Sequence, residues 1–138
     1  MKKFLKTIFI YVLIVAGIIC IANAMYLSTS KIYATEEKFQ AVPYGIELCN
    51  LGSSHGEDAF IYDHVADKVC FNFSLSGQVL TYDQRILDYY RDRLANGAQV
   101  IITVSPFSFY GVDEADEPTF LSKNMRYYIF LPKEYVKE

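Results

Sequence analysis

The sequence of 138 residues predicts an α/β protein in which an apolar amino-terminal helix precedes part of a parallel sheet packed against helices. Three observations indicate this class. A long uncharged stretch lies near the start of the chain. Short apolar runs of strand length then alternate with segments of helical or loop character. Two of these runs end in serine and glycine, as in parallel sheets that carry a site at the carboxyl ends of their strands.

The uncharged stretch covers residues 7–27 (TIFIYVLIVAGIICIANAMYL). A helix of this length spans roughly 31 Å, the thickness of the hydrocarbon core of a bilayer. Lys2, Lys3 and Lys6 precede it, so the positive-inside rule places the amino terminus in the cytoplasm and the rest of the chain outside. We therefore predict that residues 1–27 are a cytoplasmic tip and a transmembrane anchor, with the membrane as a partner.

A cleaved signal peptide is the alternative interpretation of the same stretch. Ala22-Asn23-Ala24 fits the small-x-small pattern of a cleavage site, and the chain would then be secreted. A lipoprotein anchor at Cys20 is disfavoured by the large Ile19 before it. Both main interpretations place the residues from Ser28 onward outside the cytoplasm.

The part of the chain after Leu27 is acidic. It holds all 16 acidic residues but 10 of the 13 basic ones, which gives a net charge of −6. Binding to nucleic acid needs a basic face that releases counterions from phosphates. The charge therefore excludes nucleic acid as a partner.

Residues 28–43 are polar and mixed, and they predict a juxtamembrane stalk, with room for a short helix, that ends at Pro43. Residues 44–138 are predicted to form the α/β domain. Apolar runs predict strands in this domain, and an acidic segment between the first two predicts a short helix or an ordered loop. The strands are Ile46–Leu51, Val69–Phe73 and Gln99–Val104, and the acidic segment is Glu57–Asp67.

A helix is predicted between the second and third strands. The capping box Thr81-Tyr82-Asp83-Gln84 predicts its start, and Asn96-Gly97 predicts a left-handed cap at its end. Apolar residues follow helical spacing on one face, and charged residues occupy the other. The apolar set is Tyr82, Ile86, Leu87, Tyr90 and Leu94, and the charged set is Asp83, Arg85, Asp88, Arg91 and Asp92.

The order β-α-β-α-β predicts right-handed crossovers and a parallel sheet, as in part of a flavodoxin-like three-layer sandwich. The third strand is rich in β-branched residues, as expected for a strand covered on both faces. Three strands and two helices would leave apolar edges and faces uncovered. Among residues 105–138 only Tyr127–Leu131 suggests a further strand. We therefore expect an incomplete domain, either truncated or completed by a partner chain.

The cysteines allow two interpretations. Cys49 and Cys70 lie in the first two predicted strands. They could form a disulfide in an oxidising compartment if the strands are neighbours, or remain buried free thiols. There is no close Cys-x-x-Cys pair, so no metal site and no cofactor are predicted from them.

The stretch Gly52–Gly56 (GSSHG) follows the first strand and matches the letters of the Gly-x-Ser-x-Gly nucleophile elbow. An α/β-hydrolase places several strands before its elbow, whereas one strand precedes Ser54 here. The stretch more closely resembles the first block of the SGNH (GDSL-like) hydrolases, in which the first strand ends in Gly-Asp-Ser. Ser53 then replaces the aspartate, and the family nucleophile falls on Ser54.

The segment Asn72–Gly77 (NFSLSG) resembles the second block of that family. The resemblance implies that the Gly77 amide, beside the Ser54 amide, donates to the oxyanion, because backbone amides stabilise the charge of a tetrahedral intermediate. Asn72 and His55 are expected to contact substrate. The Ser-Ser-His form also resembles a divergent branch of membrane-anchored members, which implies acyl transfer or ester hydrolysis on cell-envelope polysaccharide or teichoic acid.

The chain departs from the family in two places. Ser105–Tyr110 stands where Gly-x-Asn-Asp is expected, and no Asp-x-x-His follows Ser54. A serine needs an adjacent base to act as a nucleophile, but His55 follows Ser54 directly and His64 is expected on the surface. The resemblance, which covers about residues 45–110, therefore implies the amino-terminal part of an enzyme that is inactive alone.

Aromatic residues follow the third strand at the same edge of the sheet. Phe107, Phe109 and Tyr110 could stack on sugars or could pack within the protein. With Phe107 and Tyr110 as ligand contacts, a non-catalytic, membrane-anchored envelope binding or docking protein is the alternative function. The acidic segment with His55 and His64 matches no spacing of metal ligands, so no metal is predicted there.

Overall fold

The structure is a computed structural model that describes residues 2–29, 31–110 and 124–137. The chain divides into two compact units, Met1–Glu37 and Lys38–Glu138. The first contains an apolar helix, and the second contains a parallel sheet with helices. The mixed helix and strand composition of the prediction is therefore confirmed.

The first unit contains helix α1 (Lys2–Thr29) and most of helix α2 (Lys31–Gln40). Within α1, the 23 residues Phe4–Tyr26 are long and apolar enough to cross a membrane, and all of them are exposed. A signal sequence near the amino terminus has the same properties. The apolar helix of the prediction is confirmed, and its topology stays a prediction.

The sheet has three parallel strands in the order β2-β1-β3. They are β1 (Ile46–Gly52), β2 (Cys70–Asn72) and β3 (Leu94–Thr103). The predicted three-stranded parallel sheet is confirmed, although β2 is shorter than predicted and β3 begins five residues earlier. In the register, Asn50 is paired with Asn72 on one side and with Ile101 on the other.

The described residues of this unit form three further helices. They are α3 (Ser54–Ala59), α4 (Leu80–Tyr89) and α5 (Lys133–Val136). Short 3₁₀ turns lie between the other elements, at Arg91–Arg93, Pro106–Phe109 and Met125–Ile129.

Both predicted ends of α4 were wrong. The helix starts at Leu80 after Val79, whose extended backbone forms the cap without a side-chain hydrogen bond, so the Thr81 capping box is not used. The helix stops at Tyr89, because Leu94 already pairs with Ile46 of β1. Gly97, with φ of +80°, instead lies in an irregularity of β3 where its register with β1 shifts.

The predicted strand Tyr127–Leu131 was also wrong. Tyr127 and Leu131 are both buried, and the Leu131 amide donates to the Tyr127 carbonyl at 2.8 Å. Their spacing of four residues fits one turn of helix rather than a strand. The Tyr127 ring stacks on Tyr82 of α4 with centroids 3.6 Å apart, which fixes this segment against the helix.

One apolar core fills the second unit. Phe39, at the end of α2, is buried in it and stacks on Phe130 with ring centroids 3.6 Å apart. The residues from Lys38 to Pro43, which the prediction placed in the stalk, therefore belong to the folded unit. The core residues are Phe39, Val42, Ile46, Cys49, Leu51, Phe73, Leu75, Tyr82, Ile86, Tyr90, Tyr127, Leu131 and Val136.

Strand β3 is poorly covered in the described part of the chain. Ile101 and Ile102 point to opposite faces of the sheet, yet they are 37% and 43% exposed. The β-branched residues of β3 are typical of a strand buried on both faces, yet both faces of β3 are exposed here.

Cys49 and Cys70 are free thiols, so the disulfide of the first interpretation is not formed. Cys49 is buried, and burial raises the pKa of its thiol to about 11. Cys70 is half-buried and pairs in register with Leu48 rather than with Cys49.

Candidate functional site at the carboxyl edge of the sheet

The site is built on the turn between β1 and α3. Gly52 ends the strand with φ of +127°, a conformation that side-chain-bearing residues rarely adopt. Ser53 follows as the buried cap residue of α3, and Ser54 is the first residue of the helix. The chain therefore turns sharply at Gly52, which brings the helix directly onto the carboxyl edge of the sheet.

Close packing against Thr103 explains both glycines of the motif. A Cβ atom on Gly52 would lie 2.0 Å from Thr103 Oγ1, and one on Gly56 would lie 2.4 Å from the same atom. The Gly56 position is also 2.5 Å from Ser74 Oγ. Thr103 Oγ1 is itself fixed, because it donates to the Leu51 carbonyl at 3.0 Å. The turn is therefore clamped between the ends of β1 and β3.

Asn50 is a buried polar hub beneath this turn. Its Nδ2 lies 3.0 Å from the Gly56 carbonyl, 3.0 Å from Asn72 Oδ1 and 2.8 Å from Ser74 Oγ. Its Oδ1 is buried without a hydrogen-bond partner among the described residues. Asn50 of β1 thus connects α3, through Gly56, with β2, through Asn72.

Asn72, predicted to contact substrate, is engaged within the protein. Its Nδ2 donates to the carbonyls of Gly56, Glu57 and Phe60 at 3.2, 3.1 and 3.0 Å. Its Oδ1 accepts from the Ser74 amide at 2.9 Å. These contacts favour a role in positioning α3, and contact with substrate stays a prediction.

A depression of about 370 Å³ opens beside the turn. The predicted His55 is exposed and lines it, whereas Ser54 is half-buried in the chain between two of the lining residues. The lining residues are Ser53, His55, Thr103, Val104, Ser105 and Pro106. A ligand in this depression would therefore lie next to the Ser53–Ser54 backbone.

Gly77, the predicted oxyanion donor, lies in an exposed turn with φ of +70°. The Arg126 guanidinium donates to the Ser76 carbonyl and holds this turn. The backbone between β2 and this turn lies next to the Gly52 turn, because the Leu75 amide donates to the Gly52 carbonyl at 3.2 Å. No described contact joins Gly77 to Ser54, so its role stays a prediction.

The aromatic residues after β3 differ in exposure. Phe107 is half-buried in the 3₁₀ turn, which the Ser105 amide closes by donating to Ser108 Oγ at 3.0 Å. Phe109 and Tyr110 are 68% and 69% exposed. These two rings line a second depression of about 200 Å³ against the start of α4. Tyr110, which was predicted to contact a ligand, thus has an accessible ring.

Lys38 approaches the site from α2, and no feature of the sequence indicated this. Its Nζ donates to the Ser74 carbonyl at 2.8 Å. Burial lowers the pKa of the Lys38 amine, and the charge of Glu57 acts in the opposite direction. A lysine in a run of charged residues usually stays in solvent, so only the tertiary structure reveals it.

Asp83 was predicted on the solvent face of α4, and this was wrong. It is 2% exposed, and Gln78 Nε2 donates to its Oδ1 at 2.6 Å. Burial raises the pKa of the Asp83 carboxyl, which hydrogen bonds from Gln78 and the Gly52 amide only partly offset. The carboxyl therefore lies under the turn that carries Ser54.

The histidines lie outside this buried network. His55 and His64 are both exposed. Within residues 2–29, 31–110 and 124–137, no group of three or more His, Cys, Asp or Glu residues could hold a metal ion.

Comparison with protein-family models, with curated proteins and with solved structures finds no match to this chain. A fold class alone does not define an activity. The features that bear on what the chain does are therefore the turn, the buried polar hub and the depression beside them.

Proposed function

We propose that this chain is the amino-terminal portion of a membrane-anchored, extracytoplasmic SGNH-like acyl esterase or acyltransferase that acts on cell-envelope polysaccharide or teichoic acid. The observation that carries the proposal is the clamped turn at Gly52. It places Ser54 at the carboxyl edge of a parallel sheet, beside an open depression. Parallel α/β folds bind ligands at this edge.

The chemistry assigned to the site is acyl transfer to a serine. Ser54 would attack the acyl carbonyl, and the amides of Ser54 and Gly77 would donate to the oxyanion that forms. His55 lines the depression and is suited to contact the substrate. Asn50 and Asn72 would keep α3 and the turn in place while the carbonyl is attacked.

The base must come from outside the described residues. A general base has to lie within hydrogen-bonding reach of the serine hydroxyl. Neither His55 nor His64 makes a hydrogen bond to Ser54 in the described part of the chain, and both are exposed. This agrees with the absence of Asp-x-x-His after Ser54 in the sequence.

The open faces of β3 support a partner or a longer chain. Val100 and Ile102 lie on one face and Ile101 on the other, and all three are exposed. The strand carries no charged residue to protect its edge. Further α/β structure that covers β3 could also bring an Asp-x-x-His segment to the carboxyl edge.

Replacement of Ser54 by alanine tests the assignment of the nucleophile. The 138-residue chain alone is expected to show no ester hydrolysis. Combined with the segment or partner chain that supplies Asp-x-x-His, it should hydrolyse p-nitrophenyl acetate. Ser54→Ala should lower that rate at least about 10³-fold, because the nucleophile is lost.

Ser76→Ala is the matched control, because Ser76 is an exposed serine in a neighbouring turn. It should leave the rate unchanged. Equal hydrolysis by Ser54→Ala and the unchanged protein would contradict the proposal. Hydrolysis by the 138 residues alone, lost in Ser54→Ala, would instead show that the base lies within this chain.

A second function, the docking of an envelope polymer without catalysis, is favoured by the exposed rings of Phe109 and Tyr110. Aromatic stacking contributes about 0.5–1.5 kcal/mol per ring. Tyr110→Ala should therefore weaken binding of the full chain, in detergent micelles, to purified teichoic acid about 2- to 12-fold.

Tyr44→Ala is the control for that measurement. Tyr44 is 67% exposed but precedes β1, so it lies at the opposite, amino-terminal edge of the sheet. Equal losses of binding in the two variants would exclude a specific surface at Tyr110. The docking function also requires that Ser54→Ala binds normally.

A further inference from the structure

Gln78 and Asp83 form a polar pair in the apolar interior between β1 and α4. Both side chains are buried, and Gln78 Nε2 donates to Asp83 Oδ1 at 2.6 Å. The other two oxygens of the pair, Gln78 Oε1 and Asp83 Oδ2, are buried and have no hydrogen-bond partner in the part of the chain that the structure describes. Neither residue takes part in the chemistry proposed for Ser54.

An ionised aspartate cannot satisfy this arrangement. A carboxylate oxygen and an amide oxygen both act only as acceptors, so Asp83 Oδ2 and Gln78 Oε1 would both lack a donor among the described residues. One proton on Asp83 Oδ2 supplies a donor. A carboxylic acid and a primary amide can then share two hydrogen bonds, from Nε2 to Oδ1 and from Oδ2 to Oε1.

We propose that Asp83 is a neutral carboxylic acid, joined to Gln78 by two hydrogen bonds, and that this pair positions the turn at Gly52. The pair is connected to the turn in two ways. The Gly52 amide lies against the Asp83 carboxyl. The backbone amide of Gln78 also donates to the Leu75 carbonyl at 2.9 Å, and the backbone amide of Leu75 donates to the Gly52 carbonyl.

The groups around Asp83 leave it as the residue that titrates. From the Met125–Ile129 turn it faces Tyr127, and burial raises the pKa of this phenol to about 12. Arg126 donates to the Tyr127 hydroxyl at 3.0 Å. The β1 side contributes Gly52, which has no side chain to titrate. On α4 itself, Arg85 is directed to the Val136 carbonyl.

The direction of the pH dependence follows from burial. Burial raises the pKa of Asp83 above its ordinary value of 3.8. Between these two values the folded chain binds a proton that the unfolded chain does not. The stabilisation is complete below the ordinary value and is lost as the pH rises through the folded value.

The test compares the full chain with Asp83→Asn in detergent micelles. Urea unfolding, followed by the near-ultraviolet circular dichroism of tyrosine, gives the unfolding constant at each pH. As the pH rises through the window, loss of the proposed proton should raise this constant about tenfold per pH unit. Asp83→Asn should remove this dependence, because an amide can donate and accept in the same places. Asp88→Asn, on the exposed side of α4, should retain it.

Two measurements on the unchanged, folded protein need no variant to fold. The infrared band of a protonated carboxylic acid should persist above the range in which ordinary Asp and Glu side chains ionise, about pH 4–5, and disappear at higher pH. Amide exchange at Gly52, Ser53 and Ser54, corrected for its intrinsic pH dependence, should accelerate over the same range. Absence of the band, or exchange in the turn that ignores its loss, overturns the proposal. Neither measurement depends on Ser54 being a nucleophile.

Discussion

Replacement of Gly52 by alanine is expected to destabilise the sheet-containing unit by about 2–6 kcal/mol. Two effects add. The φ of +127° is strained for any residue with a side chain. The new Cβ atom would also lie 2.0 Å from Thr103 Oγ1 and 2.6 Å from the Thr103 carbonyl oxygen. The side chain could rotate away, but the backbone oxygen belongs to β3, so the strands themselves would have to move.

Two other glycines separate these effects. Gly45 has φ of +72° with no atom within 4 Å of an added Cβ, so Gly45→Ala should cost about 1–2 kcal/mol from backbone strain alone. Gly56 has ordinary helical geometry but is crowded by Thr103 and Ser74, so Gly56→Ala measures crowding. Urea unfolding of the full chain in detergent gives all three values. A loss at Gly52 no larger than that at Gly45 would contradict the clamp.

The features that are local in sequence could be predicted. The uncharged stretch of α1 and the apolar runs of β1 and β3 identify their elements because each is longer than a chance run. The parallel order follows from alternation of strands and helices. The turn at Gly52 was also predictable, since glycine after an apolar strand indicates a sharp change of direction.

The features that depend on tertiary contacts could not be predicted. The Thr81 capping box was a sound local signal, but the helix starts earlier because Val79 forms its cap. Asp83 and Lys38 have the composition of surface residues, and only the packing of α4 and α2 buries them. The hydrogen bond between Asn50 and Asn72 depends on the register of β1 and β2. A single sequence does not show which residues of two strands are paired.

The two glycines of the motif also have a different explanation from the one that the letters suggest. Both Gly52 and Gly56 are required by close packing against Thr103, whether or not the site reacts with a substrate. The Gly-x-Ser-x-Gly letters therefore support the shape of the turn rather than its activity. The proposed catalytic role therefore depends on Ser54 and not on the two glycines.

Replacement of Asn50 by aspartate, nearly identical in shape, should destabilise the unit by about 3–5 kcal/mol at neutral pH. The change removes the Nδ2 donor from a side chain with no exposed surface. In its place a carboxylate oxygen would face the Gly56 carbonyl and Asn72 Oδ1, each at 3.0 Å. Burial of an unpaired charge against two acceptors explains a loss this large without any cavity.

The same variant has a pH dependence that identifies the cause. Protonation of the new carboxyl restores one donor, so its pKa in the folded chain should be raised above the ordinary value of about 3.9. Stability should then be retained below that value and be lost as the pH rises. Asn96→Asp, in an exposed part of β3, is the control and should change stability by less than about 0.5 kcal/mol. A loss at Asn50 that is independent of pH would show that shape, and not the missing donor, determines the fit of this side chain.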